Sequence, residues 1–453
     1  MSRPASLRGC SGYRSIPRRN MVLGGVCGAL GLTLTDLLRG RARAAADGHP
    51  EPKAQSIIHL NLGGGFSGQE SWDPKPEAPT EYRGPYNVVK TNTGDVFSDT
   101  LARTSKVADR FTVVRSVVGR IPDHGQATYH TFTGYLPTTV IDYPQMGSVI
   151  SRHFGPRKDL PPYVAIPALH GFTGGTGYLS SKYGAFQLNA DPGGRGEFRV
   201  KDFSIPDSLS HERFERRRAA RAIVEQNLKS RKVDPDQLNT MDEFYQRAYT
   251  LLSSSEAQSA FAIKDEPQAM QDLYGQGHGY ILKYRNQPAA IGGRLLLARR
   301  LVAAGVRFVT VNYNGWDSHV DIKGTCDDKM PALDHAISGL VTDLDQRGML
   351  DSTLVLITSE FGRTPKINQT NGRDHWARVY PAMLAGGGIT RGQIYGASDA
   401  TASEPARDAV TLEDLLYTVY HLLGIDANQE LLAFGTRPIE MIKGGKLINR
   451  IVA

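Results

Sequence analysis

Two hydrophobic rhythms alternate along this chain, one with the period of a strand and one with the period of a helix. Ser56 to Leu62 (SIIHLNL) is an almost continuous apolar run that Gly63-Gly64-Gly65 ends sharply, which predicts a buried strand. Phe111 to Ser116 predicts another, and Gly125 to Phe132 can open a helix. After Pro288 the pattern is regular. The stretch AAIGGRLLLARRLVAA forms a helix that stops at Gly305, and Val306 to Val311 alternates into a strand that runs out into Gly315-Trp316-Asp317-Ser318-His319. Leu333, Ile337, Leu340 and Leu344 give one apolar face to a helix starting at Pro331; Gly348 ends it, and Thr353 to Ile357 is the next strand. Thr411 and Asp414 resemble a capping box ahead of a last helix carrying Leu415, Val419 and Leu422. Strands alternating with helices predict an α/β fold with a largely parallel central sheet flanked by helices, and function at the C-terminal ends of its strands. From Leu209 to about Tyr284 the rhythm changes to charged, helix-rich sequence, read as a helical insertion whose arginine run is a solvated helix face.

Charge changes the picture at one end only. The first 46 residues hold eight arginines, Asp36 as their single acid and no lysine, so they account for the whole net charge of +7 and leave the remainder balanced. The basic balance therefore implies no nucleic-acid partner. Arg18-Arg19 precedes Met21-Val22-Leu23, an apolar stretch to Leu38 and then Ala44-Ala45-Ala46, the order of a secretory signal of the twin-arginine kind. Residues 1–46 are thus expected to be removed, with 47–453 as the exported domain, periplasmic or extracellular and with no transmembrane segment. Cys10 and Cys27 would leave with the signal, and Cys326 alone can form neither an internal disulfide nor a thiolate cluster.

The candidate chemistry gathers where strands end. Asp317 and His319 stand two residues apart just past a strand, on one side of an extended backbone, and could share a metal; a turn capped by Asp317 would use the same residues structurally. The next strand ends in Thr358-Ser359-Glu360-Phe361-Gly362-Arg363, where Glu360 could ligate a metal and Arg363 could grip an anion through its planar fork, or the two could pair with each other. Asp374-His375 repeats the carboxylate-imidazole pattern in Gly372-Arg373-Asp374-His375-Trp376. Three such groups in one stretch favour a divalent metal, Zn²⁺ or Mn²⁺ with Ca²⁺ as an alternative. Upstream, His124 and His130 lie near a helix start, and Glu70 or Asp73 could complete a metal site. The glycines at 63–65 and 171–177 lack the Lys-Ser/Thr of a phosphate loop.

Met330 to Gly362 (MPALDHAISGLVTDLDQRGMLDSTLVLITSEFG) resembles the sulfatase pattern of a helix, a Gly-Leu turn and a strand ending in Thr-Ser-Asp-Asn/His-Gly, and Thr411 to Ile425 is similar to a late sulfatase helix. Gly-Gly near Trp72-Asp73-Pro74-Lys75-Pro76, Gly315-Trp316-Asp317-x-His319, Ser359 to Pro365 (SEFGRTP) and Gly372 to Trp376 resemble the exported bacterial proteins called domain of unknown function 1501. The resemblance implies an alkaline phosphatase-like fold and a metal-dependent hydrolase of phosphate or sulfate esters. Counting back from Thr133-Gly134, the sulfatase nucleophile position falls on His124 and its Arg on Thr128, so formylglycine chemistry is excluded there. Glu360 stands for a ligand Asp, Phe361 for an Asn/His ligand, and His375 resembles a late His of alkaline phosphatases. The implied roles are metal ligation by some of Asp317, His319, Glu360, Asp374 and His375, His124 as base or nucleophile, and Arg363 on the substrate anion. The implied partner is an anionic ester, including sulfated or phosphorylated glycans. The missing nucleophile leaves a second reading, a non-catalytic protein that binds an anionic glycan or a partner protein.

Overall fold

The computed structural model describes residues 50–169, 171–194, 254–283 and 287–453, with residues 198, 200, 212, 213, 216, 217, 219, 220 and 223. The expected signal at 1–46 and the greater part of the insertion at 209–284 lie outside the described residues. Strand β1 (Ser56–Asn61) is buried at every position, as its apolar run requires. It sits inside a nine-stranded sheet with β2 (Phe111–Val118), β3 (Tyr163–Ile166), β4 (Phe186–Gln187), β5 (Phe308–Asn312), β6 (Thr353–Thr358), β9 (Tyr380–Ala385), β10 (Gln393–Tyr395) and β11 (Val410–Thr411). A separate two-residue hairpin, β7 (Gly362–Arg363) with β8 (His375–Trp376), lies beyond the end of β6. The sheet order is β10-β2-β9-β6-β1-β5-β3-β4, with β11 also on β2. Every strand pair of this sheet is parallel except the two made by β9, so the expected α/β architecture is the one observed.

Alternate side chains of the strands feed two cores. Ile58, Leu60, Val355 and Ile357 face α4 (Ile291–Ala304) and α5 (Ile322–Gln346) on one side. Ile57, Leu354 and Leu356 face α2 (Met146–Phe154) and α6 (Leu412–Leu422) on the other. Two further helices, α1 (His124–Thr133) and α3 (Ser255–Phe261), complete the elements used below. The capping box of α6 is present: Thr411 Oγ1 accepts from Asp414 N at 3.1 Å and Asp414 Oδ2 from Thr411 N at 3.0 Å, a cap worth about 1 kcal/mol.

One boundary differs from expectation. Helix α5 begins at Ile322, with Asp321 Oδ1 accepting from Gly324 N at 2.9 Å, and runs straight through Pro331. Proline is favoured at a first helical position, which is why the pattern reads as a start there. The apolar face continues back through Met330, Cys326 and Ile322, all buried, and that packing outweighs the lost backbone hydrogen bond. Burial inside this helix also pushes the Cys326 thiol well up, so it is not a nucleophile of the reactive kind.

Register places the functional edge. Asn61 at the end of β1 pairs with Thr358 at the end of β6 and with Asn312 at the end of β5. Three parallel strands therefore release their following loops from one level of one edge.

Candidate metal centre

The loop after β5 is laid directly on the glycines after β1. Gly315 N and Trp316 N both donate to Gly63 O, at 2.9 and 3.2 Å. Gly64 has φ +117°, and a Cβ there would stand 2.5 Å from Asp317 N and 2.7 Å from Trp316 N. Only glycine lets the two backbones approach this closely, and the approach fixes Asp317. Gly372 serves the other side, since a Cβ there would lie 2.1 Å from the His319 carbonyl. The β7-β8 hairpin sets Arg363 opposite His375. Helix α1 starts at His124 because Asp123 Oδ1 caps it, accepting from Gln126 N at 3.0 Å.

These placements bring three imidazoles onto one carboxylate. His319 Nε2 lies 3.1 Å and His375 Nε2 3.2 Å from Asp317 Oδ1, and His124 Nε2 lies 3.3 Å from Asp317 Oδ2. Ligand atoms of His124, Asp317 and His375 all fall within 4.8 Å of one another, and His319 Nε2 is 3.0 Å from His375 Nε2. Each ring is held from behind: His124 Nδ1 by Glu360 Oε1 at 2.8 Å, His319 Nδ1 by Asp374 Oδ1 at 2.6 Å, and His375 Nδ1 by Pro122 O at 2.8 Å. A carbonyl or carboxylate can only accept, so each Nδ1 donates outward and each ring turns its Nε2 inward.

Three ring nitrogens and a carboxylate converging in this way make a set of donors complementary to a cation. His124 Nε2 is buried without a hydrogen-bond partner. Tetrahedral ligation at zinc distances would put ligand atoms about 3.3 Å apart, close to the separations observed, and histidines whose outer nitrogens are tied to acceptors are what metal sites use to fix ring orientation. The residues present fit a divalent cation. The cup is open, with the Asp317 and His319 side chains each 44% exposed.

Electrostatics support an ionised Asp317. Burial alone would push its carboxyl up, but the Arg363 hydrogen bond and charge, helped by His375, hold it down at about 2. The Glu360 contact raises the His124 imidazole above its ordinary value against a smaller opposing effect of burial. His319 lowers the Asp374 carboxyl in the same way.

The expected site residues therefore meet, but in different layers. Asp317, His319 and His375 point at the common centre, whereas Glu360 and Asp374 stand behind it and hold rings. His124, expected as base or nucleophile, aims its free nitrogen into the cluster. Arg363 was expected on the substrate anion; its side chain is fully buried, donating through Nε to Gly65 O at 2.9 Å, through Nη1 to Arg373 O at 3.0 Å, and through Nη2 to Gly64 O and, at 2.6 Å, to Asp317 Oδ1. It neither pairs with Glu360 nor reaches solvent, so its fork positions Asp317 instead. Glu70 and Asp73 do not join: Glu70 forms a fully buried pair with Arg373 at 2.7 Å, and Asp73 pairs with Lys75 at 3.0 Å. His130 is buried against Glu413 at 3.1 Å. Sequence reasoning missed Phe361 as a wall, its ring 5.0 Å from that of His124 and 4.6 Å from that of His375. It also missed the Pro122 carbonyl, which no side-chain pattern can signal.

Fold and centre together define an α/β protein with a histidine-carboxylate cluster at the C-terminal edge of a largely parallel sheet, where such sheets carry their ligands. The family model described as "Protein of unknown function (DUF1501)" matches residues 54–452, and the chain belongs to that family. Among solved structures it is similar to the PsFucS1 sulfatase from Pseudoalteromonas sp., at 15% identity over 85% of this chain and 70% of that one, with a TM-score of 0.36. It is also similar to a protein in the alkaline phosphatase superfamily from Vibrio parahaemolyticus, at 10% identity over 84% and 70%, TM-score 0.35. A third is the C-terminal periplasmic domain of EcEptC from Escherichia coli in complex with Zn, at 9% identity over 83% of each chain, TM-score 0.37. No curated protein matches the chain.

Proposed function

We propose that this protein is an exported, metal-dependent hydrolase of phosphate or sulfate esters, with His124, Asp317, His319 and His375 as the metal-binding set. The observation that carries the reading is the convergence of three imidazole Nε2 atoms on Asp317, each ring tethered at Nδ1. The sequence resemblance to sulfatases and alkaline phosphatases supplies the reaction class. Three nitrogens in the set favour Zn²⁺ or Mn²⁺ over Ca²⁺, which takes oxygen ligands. A cation held there would polarise the ester and lower the pKa of an attacking water.

The chain's own residues do the holding. Arg363 keeps Asp317 ionised and oriented, Glu360 and Asp374 keep the Nδ1 protons of His124 and His319 in place, and Phe361 forms a wall against the rings of His124 and His375. With His124 turned to the centre, the nucleophile position of the resemblance supplies a ligand rather than a covalent attacker. Export rests on the Arg18-Arg19 leader; among the described residues no helix is long and apolar enough to cross a membrane.

The test is elemental analysis of the purified protein together with turnover of 4-nitrophenyl phosphate, bis(4-nitrophenyl) phosphate and 4-nitrophenyl sulfate in added Zn²⁺ or Mn²⁺. One metal per chain and turnover are expected, both lost in Asp317→Ala and His375→Ala. Protein that binds neither metal and turns over none of these esters ends this reading. Metal bound without turnover would instead favour the non-catalytic binder of an anionic glycan or partner protein.

A further inference from the structure

Eight large hydrophobic side chains stand exposed among the described residues, and two of them, Phe172 at 63% and Val320 at 63%, lie beside neighbours of the proposed metal-binding residues. Val320 follows His319 directly. Phe172 comes from a distant loop yet covers the first turn of α1: a Cβ on Gly125, the residue after His124, would lie 3.3 Å from Phe172 Cδ1 and 3.4 Å from Cε1.

The exposure of Phe172 does not come from a loose loop. Thr173 beside it is buried. Gly175 O accepts from Gln145 N and from Ser148 Oγ, both at 3.1 Å, which ties the loop to the start of α2. Gly174 has φ +79° and packs so closely on α1 and the following turn that a Cβ would meet Thr133 Cγ2 at 2.7 Å and Tyr143 O at 2.8 Å. Gly177, at φ +51°, would meet Pro144 N at 2.4 Å. The chain is thus pinned just after Phe172, while the phenyl ring is left exposed against the first turn of α1, the turn that carries His124. An exposed aromatic ring at such a place offers a flat apolar face to whatever the cup binds.

We infer that Phe172 is a specificity-determining platform for the alcohol part of the substrate, and that the ester carried to the cup is borne on a ring, aryl or pyranose, whose face lies on the phenyl group. The inference rests on the proposed anionic-ester function. Ring stacking contributes on the order of 0.5–1.5 kcal/mol beyond burial, so the platform shows itself as a preference among ligands and not as the capacity to bind anions.

Calorimetry on the zinc-loaded protein tests this without turnover, using two ligand pairs: phenylphosphonate against methylphosphonate, and glucose 6-phosphate against glycerol 3-phosphate. The ring-bearing member of at least one pair is expected to bind roughly three- to tenfold tighter. Phe172→Ala should abolish that preference while methylphosphonate affinity and zinc content stay unchanged, and Phe172→Trp should restore it. Loss in the first pair identifies an aryl ring and loss in the second a pyranose. A preference that is absent from the parent protein, or that survives Phe172→Ala, overturns the platform alone. If none of the four ligands binds, the anionic-ester reading fails and the platform fails with it.

Discussion

Asp317 takes its character from Arg363, and His124 from Glu360. Both partners are buried, both are charged, and neither offers an atom to solvent in quantity. Glu360 Oε1 also accepts from Gly64 N at 2.7 Å and Oε2 from Ser359 Oγ at 3.1 Å, so it is a fixed acceptor behind the His124 ring. Removing its charge while keeping its shape isolates that role. Glu360→Gln should weaken zinc binding about 10- to 100-fold, the usual cost of losing such an outer partner, with little change in urea midpoint for the metal-free protein. Asp374→Asn should cost less, because Asp374 is 53% exposed and water can replace it. Competition titrations with a chelating indicator measure both, and equal effects from the two substitutions would contradict the assignment.

At the scale of elements, β1 carries a burden unrelated to the centre. His59 lies wholly inside the sheet, with Nε2 2.8 Å from Thr358 Oγ1 and Nδ1 unpartnered, between Phe132 and Phe308. Burial holds its imidazole down at about 3, against 6.5 for an exposed ring. Between these two values the unfolded chain takes up a proton that the folded chain refuses. Stability from this source is therefore full above pH 6.5 and falls as the pH drops toward 3. His59→Phe should flatten the acid side of the stability profile, by at most about 1.4 kcal/mol per pH unit, as read from urea midpoints between neutral pH and the acid end of the transition. A parallel profile in the variant would show that other groups dominate. Helix α5 teaches a related lesson: Pro331 reads locally as a beginning, but the buried face from Ile322 to Leu344 overrides it.

For the whole molecule, the proposed metal-binding set is a clasp. Its members come from the start of α1, the loop after β5 and the β8 strand, segments separated by roughly two hundred residues of chain at the widest gap and joined through a single point. A cation bound by the folded state alone must stabilise it by mass action, about 2.7 kcal/mol at a free concentration one hundred times the dissociation constant. Scanning calorimetry should show the unfolding temperature rising with added Zn²⁺ and falling with chelator. Asp317→Ala should be indifferent to both. A thermal transition in the parent protein that zinc leaves unmoved would argue against ligation by the native fold.

Much of this was legible in the residues. Apolar runs such as SIIHLNL and the repeating faces of α5 and α6 specify strands and helices because burial follows local period, and their alternation specifies the largely parallel sheet. Strand ends then direct attention to Asp317, His319, Glu360, Arg363, Asp374 and His375, because parallel strands expose their C-terminal ends together. What composition and spacing could not assign was the layer each residue occupies. Whether a carboxylate touches the centre or a ring behind it is set by Gly64 yielding to the Asp317 loop and by Arg363 facing inward to four oxygens. Sequence alone determined which strand ends carry the carboxylates and imidazoles and at which edge of the sheet they lie, since those follow from local patterns. Tertiary structure alone decided which of them face the centre, because that choice is made by contacts between segments far apart in the chain.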